Sequence, residues 1–153
     1  MGGAGLVVDE LDRVLLLRYD VPELASSVWA APGGGVEDGE DDRDALRREL
    51  AEEVGLRDPV LGPPVWTRTH VFPMAGGYDG QTERYYLLRT PSFEPRPVRS
   101  AEQLSAEGIT ETRWWTAADR QQTDELFAPR RLPALLADLL ASGPPGAVLD
   151  VGM

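Results

Sequence analysis

The sequence predicts an α/β fold: a mixed β-sheet with helices on both sides. Three observations carry this reading. Short runs rich in leucine, β-branched and aromatic residues recur along the chain with turn-forming residues between them, as strands do. Residues 41–54 carry Leu46, Leu50 and Val54 at helical spacing, and the C-terminal part does the same with Leu132, Leu135, Leu136, Leu139 and Leu140. Strands and helices in alternation bury their apolar faces best as layers.

The elements follow in order. Leu6–Asp9 and Val14–Arg18 read as two strands around a turn at 10–13, the second apolar enough to be buried on both faces. Residues 20–27 are polar, contain Pro22, and read as a loop. Residues 29–40 read as a glycine-rich loop with room for short strand pieces. Asp41 or Asp42 suits a helix N-cap, Asp44 suits the first turn, and Gly55 stands where a C′ glycine belongs. Residues 65–72 and 83–89 read as a hairpin whose tip, 74–81, is rich in glycine. Residues 91–97 read as a loop and 111–116 as a strand, in which the adjacent Trp114 and Trp115 point to opposite faces. One of the pair then belongs to the core and the other is a candidate to line a cleft. Thr116 to Asp119 resembles a capping motif for a short helix. Pro129 and Pro133 fit the start of the leucine-rich helix, and Gly143 to Gly146 end it. The chain of 153 residues reads as one domain, 1–153, with 143–153 as a candidate loose tail.

Composition narrows the function. Cysteine is absent, which removes disulfides and thiol chemistry. A net charge of −11 argues against binding a nucleic-acid polymer, which needs basic patches. No apolar run reaches the about 18 to 20 residues of a membrane span, and residues 1–5 lack a basic, apolar leader. A cytoplasmic protein with no membrane partner is the expectation.

The most specific feature lies on the first helix. Glu49, Glu52 and Glu53 occupy positions i, i+3 and i+4 and so share an arc of about 100°. Like charges so placed destabilise a bare helix, and hard cations such as Mg²⁺ or Mn²⁺ take carboxylate oxygens. A solvated acidic face is the alternative for three glutamates alone. Such a cation also answers how a strongly acidic chain holds an anionic phosphate substrate.

Gly34, Glu40, Arg48, Glu49, Leu50, Glu52, Glu53, Gly55 and Leu56 stand at Gly, five residues, Glu, seven residues, Arg-Glu-apolar-any-Glu-Glu-any-Gly-apolar. The pattern over 34–56, led in by Trp29 to Gly33, resembles the Nudix box of the Nudix hydrolases. The resemblance implies their α/β/α sandwich and cleavage of a pyrophosphate bond, with Mg²⁺ or Mn²⁺ as cofactor. The substrate would be a small-molecule nucleotide or nucleoside diphosphate derivative: a nucleotide sugar, an ADP-ribose-like compound or a (d)NTP. It implies Glu49 and Glu53 as metal ligands, Glu52 as a further ligand or as the group taking a proton from the attacking water, and the Gly33 carbonyl as the completing oxygen. Arg48 precedes Glu52 by four residues and is expected to orient it; Glu40 is expected to brace the loop.

Members of the family also use a base from a distant loop. Glu107 is the first candidate here, followed by Glu102 and Glu83. Arg18, Arg68 and Arg84 are candidates for phosphate contacts, with solvation at a strand edge the alternative for each. Phe72, Tyr85 and Tyr86 are candidates for stacking on a base, with core packing the preferred reading for all three. His70 reads as a packed strand residue. A homodimer is an assembly the resemblance allows. Two competing functions remain. An isopentenyl-diphosphate isomerase would need a cysteine, and a silent nucleotide-binding or sensor module would show an eroded box, whereas this one is intact.

Overall fold

Backbone pairing begins at the second residue. The computed structural model describes residues 2–21, 25–74, 77–144 and 146–152, with only the backbone described at 70–74 and 77–81. Strand β1 (Gly2–Val8) pairs antiparallel with β2 (Val14–Val21) and with β4 (Gly33–Gly35), and parallel with β6 (Gly77–Arg89). Strand β2 also pairs with β3 (Ser26–Ala30) and β7 (Ile109–Trp115). Strand β5 (Pro64–Met74) joins β6 in a hairpin, β8 (Leu126–Ala128) lies parallel to β3, and β9 (Leu149–Asp150) lies parallel to β5. Among the described residues the sheet runs β8-β3-β2-β1-β6-β5-β9, with β4 and β7 branching from β1 and β2.

Strand alternation divides the core in two. Leu6, Val8, Val14, Leu16 and Trp115 face one side, where Leu132, Leu136 and Leu139 of α4 (Leu132–Ser142) cover them. Val7, Leu15 and Leu17 face the other, beneath Leu46, Leu50 and Val54 of α1 (Asp42–Val54) and Leu104 of α2 (Ala101–Ala106). The result is the expected sandwich: mixed sheet inside, helices outside. A short helix, α3 (Ala117–Gln122), begins at Thr116, whose hydroxyl accepts the N–H of Asp119 as the capping motif predicts.

Several expectations need correction. The loop expected over 20–27 begins and ends in strand: Asp20 and Val21 extend β2 and pair with Ser27 and Ser26 of β3, while Pro22 and residues 23–24 lie outside the described residues. Their side chains are polar or edge-exposed, so the apolar pattern that marks a strand is missing. The first strand starts at Gly2 rather than Leu6, because glycines let two other backbones close on it; a Cβ at Gly3 would lie 2.4 Å from the carbonyl oxygen of Asp42. The glycine-rich tip of the hairpin continues the ladder, with Phe72 opposite Asp79 and Met74 opposite Gly77. Helix α2 and strand β8 had no forecast; each is too short to show a period. Trp115 is buried in the α4-side core, but Trp114 packs on Phe93 at 5.5 Å and donates its indole N–H to the Phe93 carbonyl at 3.0 Å.

Candidate active site

Helix α1 is specified at both ends. The Asp41 carboxylate accepts the Asp44 N–H at 2.8 Å and the Asp44 carboxylate accepts the Asp41 N–H at 3.4 Å, a reciprocal cap. At the other end Gly55 adopts φ 78°, and a Cβ there would stand 2.1 Å from the Arg96 carbonyl oxygen. Only glycine meets both conditions. Leu46, Leu50 and Val54 are fully buried against the sheet, which fixes the rotation of the helix.

That rotation aims the glutamates inward at one edge. Glu53 is 3% exposed and Glu49 8% exposed, both nearly as buried as core leucines. The Glu53 Oε1 accepts the Gly33 N–H at 3.0 Å. Glu49 packs on Gly34 so closely that a Cβ there would lie 2.7 Å from Glu49 Oε1. Burial, and next the charge of Glu49, pushes the Glu53 carboxyl up to about 8. Burial also raises Glu49, against the opposing hydrogen bond from Arg48.

Arg48 is anchored mainly elsewhere than expected. Its guanidinium donates to Glu40 at 2.9 and 3.1 Å, to the Gly35 carbonyl at 3.0 Å and to Glu49 at 2.8 Å. The expected partner, Glu52, is the longer contact at 3.4 Å. The arginine thus fastens the loop that carries Glu40 to the helix and steadies Glu49. Fork geometry lets one guanidinium do both.

Glu52 is held by Arg99 instead, at 2.5 Å from Nη2 to Oε2. The same guanidinium pairs through Nη1 with Glu107, so the structure brings that candidate base to the acidic face. Sequence reading missed Arg99: it lies outside the box, in a proline-rich loop, and its only advance signal was a cation preceding the Ser100 cap of α2. It missed Tyr19 as well. Burial first, then the charges of Glu53, Glu49, Glu107 and Glu83, raise that phenol far above its ordinary value, which sets its ring beside the acidic face.

The proposed phosphate arginines are spread over both sheet faces. Arg84 stands on the α1 side, 3.7 Å from Asp42, whose Oδ2 also accepts the Tyr86 hydroxyl at 2.6 Å. By alternation Arg18 and Arg68 belong to the α4 side. Arg18 donates to Ser27 at 3.0 Å and borders an open cleft with Asp20 and Ser26, and Arg68 stands opposite Glu83 in the ladder. Tyr85 and Tyr86 are buried in the core, as preferred. The side chains of Phe72 and His70 lie outside the described residues. Glu102 is exposed in the first turn of α2.

Among the described residues no three carboxylates converge closely enough to form a ready metal cage. The donor set nonetheless fits a hard cation. Two buried carboxylates lie side by side, and one of them, Glu53, has among the described residues only a backbone N–H as its hydrogen-bond donor.

Residues 2–135 match the NUDIX domain. An RNA pyrophosphohydrolase of Sulfurovum sp. (strain NBC37-1) is 41% identical over 70 residues, 41% of this chain and 44% of that protein. Nudix hydrolase 25 of Arabidopsis thaliana is 33% identical over 110 residues, 63% of this chain and 60% of that protein. The chain spans about half the length of the curated relatives it matches. Among solved structures, the NUDIX domain of Shewanella oneidensis NrtR, complexed with ADP ribose, superposes with a TM-score of 0.64 at 19% identity, covering 90% of this chain and 86% of that one. A MutT NUDIX hydrolase from Burkholderia pseudomallei gives 0.59 at 26% identity, covering 88% and 95%.

Proposed function

Because the chain belongs to the NUDIX domain family, we propose that it is a divalent-metal-dependent hydrolase of a pyrophosphate bond in a nucleoside diphosphate linked to another group. The observation that carries this reading is the buried acid pair. Glu49 and Glu53 are held side by side at 8% and 3% exposure, with burial opposing their ionisation. A folded chain keeps such an arrangement at a cost in stability, and functional sites are where that cost recurs.

Glu49, Glu53 and Glu52, with the Gly33 carbonyl, would hold Mg²⁺ or Mn²⁺. The cation supplies positive charge that acidifies water and neutralises charge developing on the bridging oxygen. The chain's own residues do the rest. Gly33 orients Glu53 through its N–H, and Arg48 orients Glu49. In this reading Glu107, which pairs with the Arg99 guanidinium that also holds Glu52, accepts the proton of the attacking water. The substrate class rests on the names of the relatives, among them RNA pyrophosphohydrolase and nucleoside triphosphatase NudI, and on the ADP ribose bound by the NrtR domain.

The test is phosphate or nucleotide release from GTP, ADP-ribose and UDP-glucose with Mg²⁺, repeated with Glu53→Gln. Turnover that the substitution abolishes supports the reading. Tight binding of a nucleotide with no turnover by the wild type would point instead to a silent binding module.

A further inference from the structure

Arg99 comes to the acidic face from outside the helix that builds it. Its main chain docks on the last turn of α1, where its N–H donates to the Glu52 carbonyl at 3.1 Å, just after Arg96 N–H has done the same to Val54 at 3.0 Å. Those two bonds use carbonyls that a helix end leaves without partners. They fix the loop without help from the side chain. The guanidinium then turns back to the same glutamate, 2.5 Å from Glu52 Oε2, and lies 4.0 Å from Glu49. Its other arm reaches Glu107. Ser100 caps the start of α2 and Glu107 caps its end, so the Arg99–Glu107 pair links the two ends of that helix. It joins a carboxylate at the far end of α2 to one on α1.

We propose that Arg99 is a positioning residue, whose guanidinium holds the Glu107 carboxylate beside Glu52 on the acidic face of α1. The proposal rests on the hydrolase reading above and adds to it the group that delivers the base. Two carboxylates on separate elements repel each other, and a planar fork with five donors can bind both at a fixed spacing. A lysine, as a point charge, holds one well and the other poorly. The charge of Glu107 reaches both Glu53 and Tyr19, as it would if the carboxylate faces the site.

The experiment compares Arg99→Gln, Glu107→Gln and the double variant, on whichever of GTP, ADP-ribose and UDP-glucose the wild type hydrolyses fastest. It reads kcat, KM, thermal melting and Mn²⁺ binding by calorimetry. Loss of a positioned base costs on the order of 100-fold or more in rate, and Arg99→Gln should lower kcat by about 10-fold or more with KM within about twofold. The double variant should be no slower than Glu107→Gln alone, since the two substitutions remove one function. Mn²⁺ affinity should stay within about threefold of the wild type in Arg99→Gln, whereas Glu53→Gln loses it. Arg99→Lys should recover part of kcat.

Multiplied losses in the double variant would overturn the proposal, as would an unchanged kcat in Arg99→Gln or a loss of Mn²⁺ binding equal to that of Glu53→Gln. Should Arg99→Gln fail to fold, Arg99→Lys alone and with Glu107→Gln gives the same comparison. A wild type that hydrolyses none of the nucleotides sinks the hydrolase reading and this proposal together. Turnover by the wild type with multiplied losses sinks the role of Arg99 alone.

Discussion

The Glu53 carboxylate accepts the backbone N–H of Gly33 at 3.0 Å, tying the end of helix α1 to the short strand β4. A glutamine keeps this bond, because its amide oxygen accepts in the same way. It removes the charge that burial and Glu49 both oppose. Glu53→Gln should therefore lower kcat by about 100-fold or more, while melting in chelator at or above the wild-type temperature. Nucleotide release and a thermal melt measure both; a collapse in stability would mean that the glutamate serves the fold.

Arg48 predicts a different pattern. It binds Glu40 twice, Glu49 once and the Gly35 carbonyl once, so removing it takes a donor from Glu40, Glu49 and Gly35 together, and Glu40 keeps only the Glu37 N–H among the described hydrogen bonds. Arg48→Ala should cost about 2 kcal/mol in urea unfolding as well as activity. Arg48→Lys should restore less than half of that loss, because one ammonium cannot serve the same planar set. A double-mutant cycle with Glu40→Gln should show coupling, and with Asp9→Asn none.

The catalytic helix and much of its site were legible in the sequence for a physical reason. Helix α1 has a cap, a stop and an apolar stripe of Leu46, Leu50 and Val54 within one local segment, and local rules suffice to place Glu49, Glu52 and Glu53 on one face. The partners of those glutamates are set by the tertiary fold. Arg48 prefers Glu40, eight residues back, over the i+4 partner Glu52, because the fold lets both Glu40 oxygens accept from its Nε and Nη2. Arg99 reaches Glu52 from 47 residues away in sequence, a pairing no periodicity encodes. Strand β3 escaped notice because it opens on Ser26 and Ser27, which carry no apolar alternation.

Gly55 links helix stability to the site. Its φ of 78° disfavours any side chain, and a Cβ would press on the Arg96 carbonyl at 2.1 Å. Gly55→Ala should cost about 1 to 3 kcal/mol through backbone strain. It should also shift the loop that carries Arg99, so activity at temperatures well below melting should drop along with stability. Full activity in a folded Gly55→Ala would show that the loop position does not matter.

Asp9 provides a pH test far from the glutamates. It is 1% exposed, accepts the N–H groups of Leu11 at 3.0 Å and Arg13 at 2.9 Å, and pairs with the Arg13 side chain at 2.7 Å and the Ser92 hydroxyl at 2.9 Å. Burial raises its pKa, but the hydrogen bonds from Arg13, Ser92 and Leu11 together outweigh burial and lower it below 3.8. A carboxyl held below its unfolded value binds fewer protons in the folded state. The stability it adds is thus fully present above the unfolded pKa and is lost as pH falls through the folded one. Asp9→Asn should be less stable than the wild type by about 1 to 3 kcal/mol at pH 7. That gap should narrow as the pH is lowered below 4, because only the wild type then loses its ionised acceptor. Urea unfolding of both proteins along a pH series reads it directly, and a gap that widened in acid would reverse the assignment.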